Sequence, residues 1–110
     1  MATQDDAGTR AELYRRLVED LTVEPAVARS TMMGFPCLRV DGRFFASLDP
    51  RTHHLIVKLP AGRVSALVAS GEGVPFTPNG RVFREWVAVP VADPNRWRAL
   101  IGEAKQFAGG

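Results

Sequence analysis

The sequence predicts a single α+β domain. Its expected architecture is a mainly antiparallel sheet of about five strands with flanking helices, in the order helix, strands, helix, strand, helix. Three observations carry this. The chain has 110 residues, the usual size of one domain. Helical stripes occur near both ends of the chain and once in the middle. Between the first two stripes, alternating runs flank Asp41-Gly42, the pair that favours a type I′ hairpin turn because both central residues need φ > 0. No repeat, linker or low-complexity block divides the chain.

The elements follow in order. Residues 1–8 are small and polar and read as a disordered tail, with the domain spanning 9–108. Thr9-x-x-Glu12 has the form of a capping box. Leu13, Leu17, Val18 and Leu21 then make one helical face, with Glu12–Arg16 and Arg16–Asp20 paired on the wet side. Pro25 ends the helix. Val27–Met33 is strand-like, and Gly34-Phe35-Pro36 reads as a break or bulge. Cys37–Val40 and Phe44–Leu48 are the hairpin strands. His54–Leu59 is a β-branched, apolar strand. Pro60 opens a helix with Val64, Leu67 and Val68 on one face, and Gly71 suits its C′ position. Gly71–Gly80 reads as loop. Arg81–Val91 reads as strand. Asp93-Pro94 is an N-cap with proline at N1. It leads a helix whose stripe is Trp97, Leu100, Ile101, Ala104 and Phe107.

Charge narrows the function classes. Fourteen basic against twelve acidic side chains leave +2, and +4 once Asp5 and Asp6 of the tail are set aside. That is mildly basic, below the dense cationic footprint of a strong DNA binder. Twelve of the fourteen cations are arginine, the better residue for phosphate forks and aromatic stacking; GC-rich coding is the plain alternative. One cysteine, Cys37, permits no internal disulfide. With no signal peptide or membrane-spanning run visible, a cytoplasmic protein with no membrane partner is expected.

Catalytic patterns are sparse. His53 and His54 are adjacent, so on a strand they would point to opposite faces, and no further ligand lies at metal spacing. Cys37 lacks an activating base. Gly71–Gly80 matches neither a Walker nor a Rossmann spacing. The expectation is a non-enzymatic protein with no cofactor and no metal.

Strand alternation supplies a more specific signal. In a two-residue hairpin, Leu38, Val40 and Phe45 share one face. Arg39, Phe44, Cys37, Ala46 and Leu48 share the other. That second face continues through Ile56, Lys58, Arg84 and Trp86. It mixes aromatics with cations, where a half-solvated sheet would be cleaner. One reading is a nucleic-acid platform, with aromatics on bases and cations on phosphates. The other is a protein interface or homodimer contact, which enriches the same residues. A pocket closed by the 71–80 loop over a small ligand is a third.

Several segments together resemble the MmcQ/YjbR family and the related TfoX N-terminal domain. They are Met33-Gly-Phe-Pro-Cys-Leu-Arg-Val-Asp-Gly-Arg-Phe-Phe-Ala-Ser-Leu48, Leu55-Ile-Val-Lys-Leu-Pro60, Gly80-Arg-Val-Phe-Arg-Glu-Trp-Val-Ala-Val-Pro90 and the helix from Asp93 to Phe107. The chain has Met33-Gly34-Phe35 where the TfoX-type pattern has Met-Phe-Gly. The resemblance implies a compact α+β fold and the family's DNA-binding label, with no catalytic residues. Lys58, Arg84 and Trp86 match its polar pattern. The candidate contact residues are therefore Arg39, Arg43, Phe44, Lys58, Arg84 and Trp86. DNA is one expected partner, and a second copy or another protein is the alternative.

Overall fold

A computed structural model describes residues 7–32 and 34–109. Helix α1 spans Ala7–Leu21, followed by β1 (Val27–Met32), β2 (Phe35–Val40), β3 (Arg43–Leu48) and β4 (Leu55–Lys58). Next come α2 (Ala61–Ser70), the short β5 (Val74–Pro75), a single 3-10 turn at Pro78–Gly80, β6 (Trp86–Val89) and α3 (Pro94–Gly109). The six strands form one sheet in the order β1-β2-β3-β4-β6-β5, with every pair antiparallel. The Cα radius of gyration is 13.0 Å, matching the ~13 Å of one compact domain of this length. The fold is α+β, in the expected element order.

Local chemistry explains most boundaries. Asp41 and Gly42 hold φ of 51° and 82°, the two positive values that a type I′ turn requires. Gly71 ends α2 at φ 84° and its N–H donates to the Val68 carbonyl, a left-handed C-terminal cap. The Asp93 carboxylate accepts from the Asn95 and Arg96 amides at 2.9 and 3.1 Å. It thereby satisfies two otherwise unpaired N–H groups at the start of α3.

One face of the sheet and the stripes of all three helices make a single core. Tyr14 and Leu17 of α1, Val64 and Leu67 of α2, and Trp97, Leu100, Ile101 and Ala104 of α3 meet Leu38, Val40, Phe45, Val57, Val87 and Val89 there. Trp97 is fully buried, and its indole N–H donates to the Val91 carbonyl at 2.8 Å, so its polar edge is satisfied. Helix α3 is tied to α1 by Arg98–Asp20 and to the turn after α1 by Lys105–Glu24. It is tied to α2 by Arg63–Glu103 and to the loop after α2 by Arg96–Glu72.

The structure corrects several expectations. Residues 1–6, Met33 and Gly110 lie outside the described residues, so the tail reading extends beyond what is described; Ala7 and Gly8 are already helical. Thr9 therefore sits inside α1, and Glu12 engages Arg15 and Arg16. Arg15 also pairs with Glu19, and Asp20 pairs with Arg98 instead of Arg16. Phe107 stays partly exposed; Ala108 completes the α3 stripe, because it lies four residues after Ala104 on the same face.

Three strand expectations also change. The segment 81–85 is not strand: Asn79 and Gly80 take positive φ, and the Phe83 N–H donates to Phe76 O while Trp86 N–H donates to Phe83 O. A turn thus precedes β6. The 71–80 loop contributes an extra edge strand, β5. Finally, the hairpin register shifts at Leu38/Arg39. Arg39 opposes Phe44, but Leu38 opposes Ala46 and Cys37 opposes Ser47. The expected break falls at Gly34, which at φ 88° lies between β1 and β2; the bulge lies in the hairpin itself, and it returns Ala46 and Leu48 to the core face.

Candidate functional site

The second face of the sheet has two rows. The inner row runs Cys37, Ser47, Ile56, Ala88 by direct strand partnership, and all four are buried. Ile56 was expected in a mixed, wet surface. It sits instead at 1% exposure among mostly small neighbours. The Ser47 hydroxyl donates to the Pro36 carbonyl at 2.9 Å, and the Tyr14 hydroxyl donates to the same oxygen at 3.3 Å. Burial pushes the Tyr14 phenol well above its ordinary range, so it stays a neutral donor.

The outer row carries the polar chemistry. Arg39 on β2 is the partner of Phe44 on β3. Lys58 on β4 is the partner of Trp86 on β6. One step beyond the Ala46–Val57 pair, Lys58 comes level with the Phe44–Phe45 bulge. Four neighbouring strands thus present cation, aromatic, cation, aromatic across about 14 Å, three strand spacings. The Arg39 guanidinium lies 4.4 Å from the Phe44 ring centroid, a contact worth about 0.5–1 kcal/mol when exposed. Among the described residues its Nε is buried without a hydrogen-bond partner. The contact occupies one face of Phe44.

The other two expected contact residues are not in this row but flank its Lys58–Trp86 end. Arg43 shares the face of Val40, its strand partner, and donates to the Ala108 carbonyl at 3.1 Å. It caps the end of α3, where carbonyls favour a cation. Arg43, Lys58, Glu85 and Phe107 together border a depression of about 300 Å³. Arg84 lies in the turn before β6 and lines an open groove beside α2 with Trp86.

Electrostatics separate the sheet from the helices. Among the described residues, every ion pair uses a helix-borne cation, on Arg15, Arg16, Arg63, Arg96, Arg98 or Lys105. Among the described residues, none of the cations on strands and loops, Arg39, Lys58, Arg81 and Arg84 among them, forms an ion pair. By residue, the three helices hold seven cations against four acids, and the strands and loops that follow α1 hold seven against six. The difference between the layers is therefore one of pairing, not of net charge.

The two histidines lie in the β3–β4 loop, ahead of the strand. Burial chiefly, and then Arg10, lower the His54 pKa from 6.5, with Asp49 opposing. Among the described residues no group of three or more His, Cys, Asp or Glu could hold a metal ion. Among the described residues, no helix is long and apolar enough to cross a membrane.

A pocket was expected at the 71–80 loop, and Pro75 of that loop does line a groove against α2; the rest of its wall, Val82 and Phe83, sequence reasoning missed. A signal was available. Of the ten residues of α2, only Arg63 is charged, whereas a surface helix ordinarily carries a charged outer face. No family model, curated protein or solved structure compared with the chain matches it.

Proposed function

We propose that this chain is a small, non-enzymatic nucleic-acid-binding domain of the MmcQ/YjbR type, with DNA as its ligand. The observation that supports the reading is the outer row, Arg39–Phe44–Lys58–Trp86, whose cations have no carboxylate partner among the described residues. Phosphates would meet Arg39 and Lys58. Trp86, half-buried, would offer a base the exposed part of its ring, while Phe44 carries the Arg39 fork. Backbone contacts of this kind dominate affinity and carry little sequence information. A row of about 14 Å suits a short stretch of single strand, stacked and splayed, better than the groove of a duplex.

The test is fluorescence anisotropy with a labelled oligo-dT strand and a mixed-sequence duplex, at low salt. Binding in the micromolar range is expected, with the single strand favoured. Trp86→Ala should weaken it by about 1–3 kcal/mol, the usual loss for one stacked base. Failure of both ligands to bind at micromolar protein and low salt refutes the reading. The competing view, a protein contact, finds its support in the α2 groove and not in this row.

A further inference from the structure

Helix α2 faces two ways. Val64 and Leu67 enter the core, but its outer side offers Ser65, Val68 and other short side chains to an open groove of about 590 Å³. The opposite wall is Phe83, Trp86 and Val82. Phe83 is held in place: its ring meets Phe76 edge-on at 5.8 Å, and its N–H donates to the Phe76 carbonyl at 3.1 Å. It nonetheless remains 40% exposed, and Val82 62%. A fixed apolar wall left open to water marks a contact surface.

Charge and shape select the occupant. Arg84 lines the groove and Arg81 lies three residues before it. Neither has a carboxylate within ion-pair distance among the described residues, and α2 contains no acidic residue. The nearby sheet edge cannot accept an added strand of useful length, because β5 is two residues long and ends in Pro75, which has no N–H. The groove follows α2, a ten-residue helix about 15 Å long. That length matches two to three turns of a second helix.

We propose that the groove between α2 and the 75–86 segment docks an acidic, amphipathic helix of a partner protein. Its apolar side chains would lie against Phe83 and Trp86, and its carboxylates would meet Arg81 and Arg84. This site is independent of the nucleic-acid row except for the shared Trp86.

The probe is a synthetic Leu/Glu peptide of about 14 residues, with leucines at i, i+3, i+4 and i+7. Its control carries Lys at every Glu position. Trp86 emission reports binding, since Trp97 is fully buried; the Trp86→Phe variant removes the signal. The acidic peptide should shift emission to the blue. Arg84→Glu should weaken it about tenfold or more, because like charges then face each other. Ser65→Phe, at an exposed helix position, should block it without adding a second reporting indole, while circular dichroism and Tm stay unchanged. Arg39→Ala/Lys58→Ala should leave it intact, which separates this site from the nucleic-acid reading. Equal binding of the Lys peptide, or no emission change with the Glu peptide, overturns the proposal. So does a response to decanoate alone, which would make the site one for small amphiphiles. Concentration-dependent dimerisation that Ser65→Phe abolishes also overturns it, in favour of a second copy.

Discussion

The same chemical change, glycine to alanine, should have opposite effects at two positions. A Cβ placed on Gly73 would lie 2.6 Å from Val87 Cγ2 and 3.3 Å from Leu67 Cβ. Both neighbours are buried, at 0% and 2% exposure. Val87 is β-branched and has little rotamer freedom. The chain at Gly73 is also pinned, since its N–H donates to the Leu67 carbonyl at 3.0 Å. Overpacking of this kind costs about 1–3 kcal/mol. Gly102 lies inside α3, and a Cβ there meets nothing within 4 Å; replacing it should stabilise by about 0.5–1 kcal/mol. In a domain of this size, 1 kcal/mol moves Tm by roughly 4–8 °C. Urea unfolding followed by circular dichroism, with unchanged m-values, measures both. In a Val87→Ala background the clashing methyl is gone, so the Gly73→Ala penalty should largely disappear as a coupling between the two sites. Equal effects of Gly73→Ala and Gly102→Ala, or full additivity with Val87→Ala, would refute the packing argument.

Other expectations rest on single contacts. Trp97→Leu removes a buried indole and its hydrogen bond to Val91, and should cost about 3 kcal/mol or more in urea unfolding. The Arg96 fork, by its hydrogen bonds first, holds the Glu72 carboxyl below its ordinary range. That stabilisation is present above pH 4.5 and is lost as pH falls through the folded value. Glu72→Gln should therefore flatten the acid limb of a Tm–pH profile while costing little at pH 7, as partly exposed pairs do. The lowered pKa of His54 acts in the same direction, its contribution being present above pH 6.5 and fading as pH falls below it. His54→Gln should remove that slope.

Local chemistry made much of the fold legible. Asp41-Gly42 announced a turn, Gly71 a cap and Asp93-Pro94 a helix start, because each depends on a residue's own φ preference or side-chain reach. What sequence could not show depends on distant partners. Nothing local in Arg39-Val40 or Phe44-Phe45 announces a bulge, yet the shift moved Ala46 and Leu48 to the other face. Arg81–Glu85 alternates like a strand, but Asn79 and Gly80 turn the chain first. The same limit applied to the site. Arg39 with Phe44 follows from hairpin alternation, and Lys58 with Trp86 from strand alternation, and both pairs come together. Arg84 was placed by the same alternation, but its segment is a turn and it lines the α2 groove, while Arg43 shares the face of Val40 and reaches the end of α3.

The central claim is that Arg39 and Lys58 neutralise phosphates. The salt dependence of oligo-dT binding tests it most directly. Each phosphate contact on a single strand contributes about 0.7 to the slope of log K against log salt. The Arg39→Ala/Lys58→Ala variant should bind more weakly, and its slope should be shallower than wild type by about 1.4. Weaker binding with an unchanged slope, or an unchanged affinity, would contradict the account.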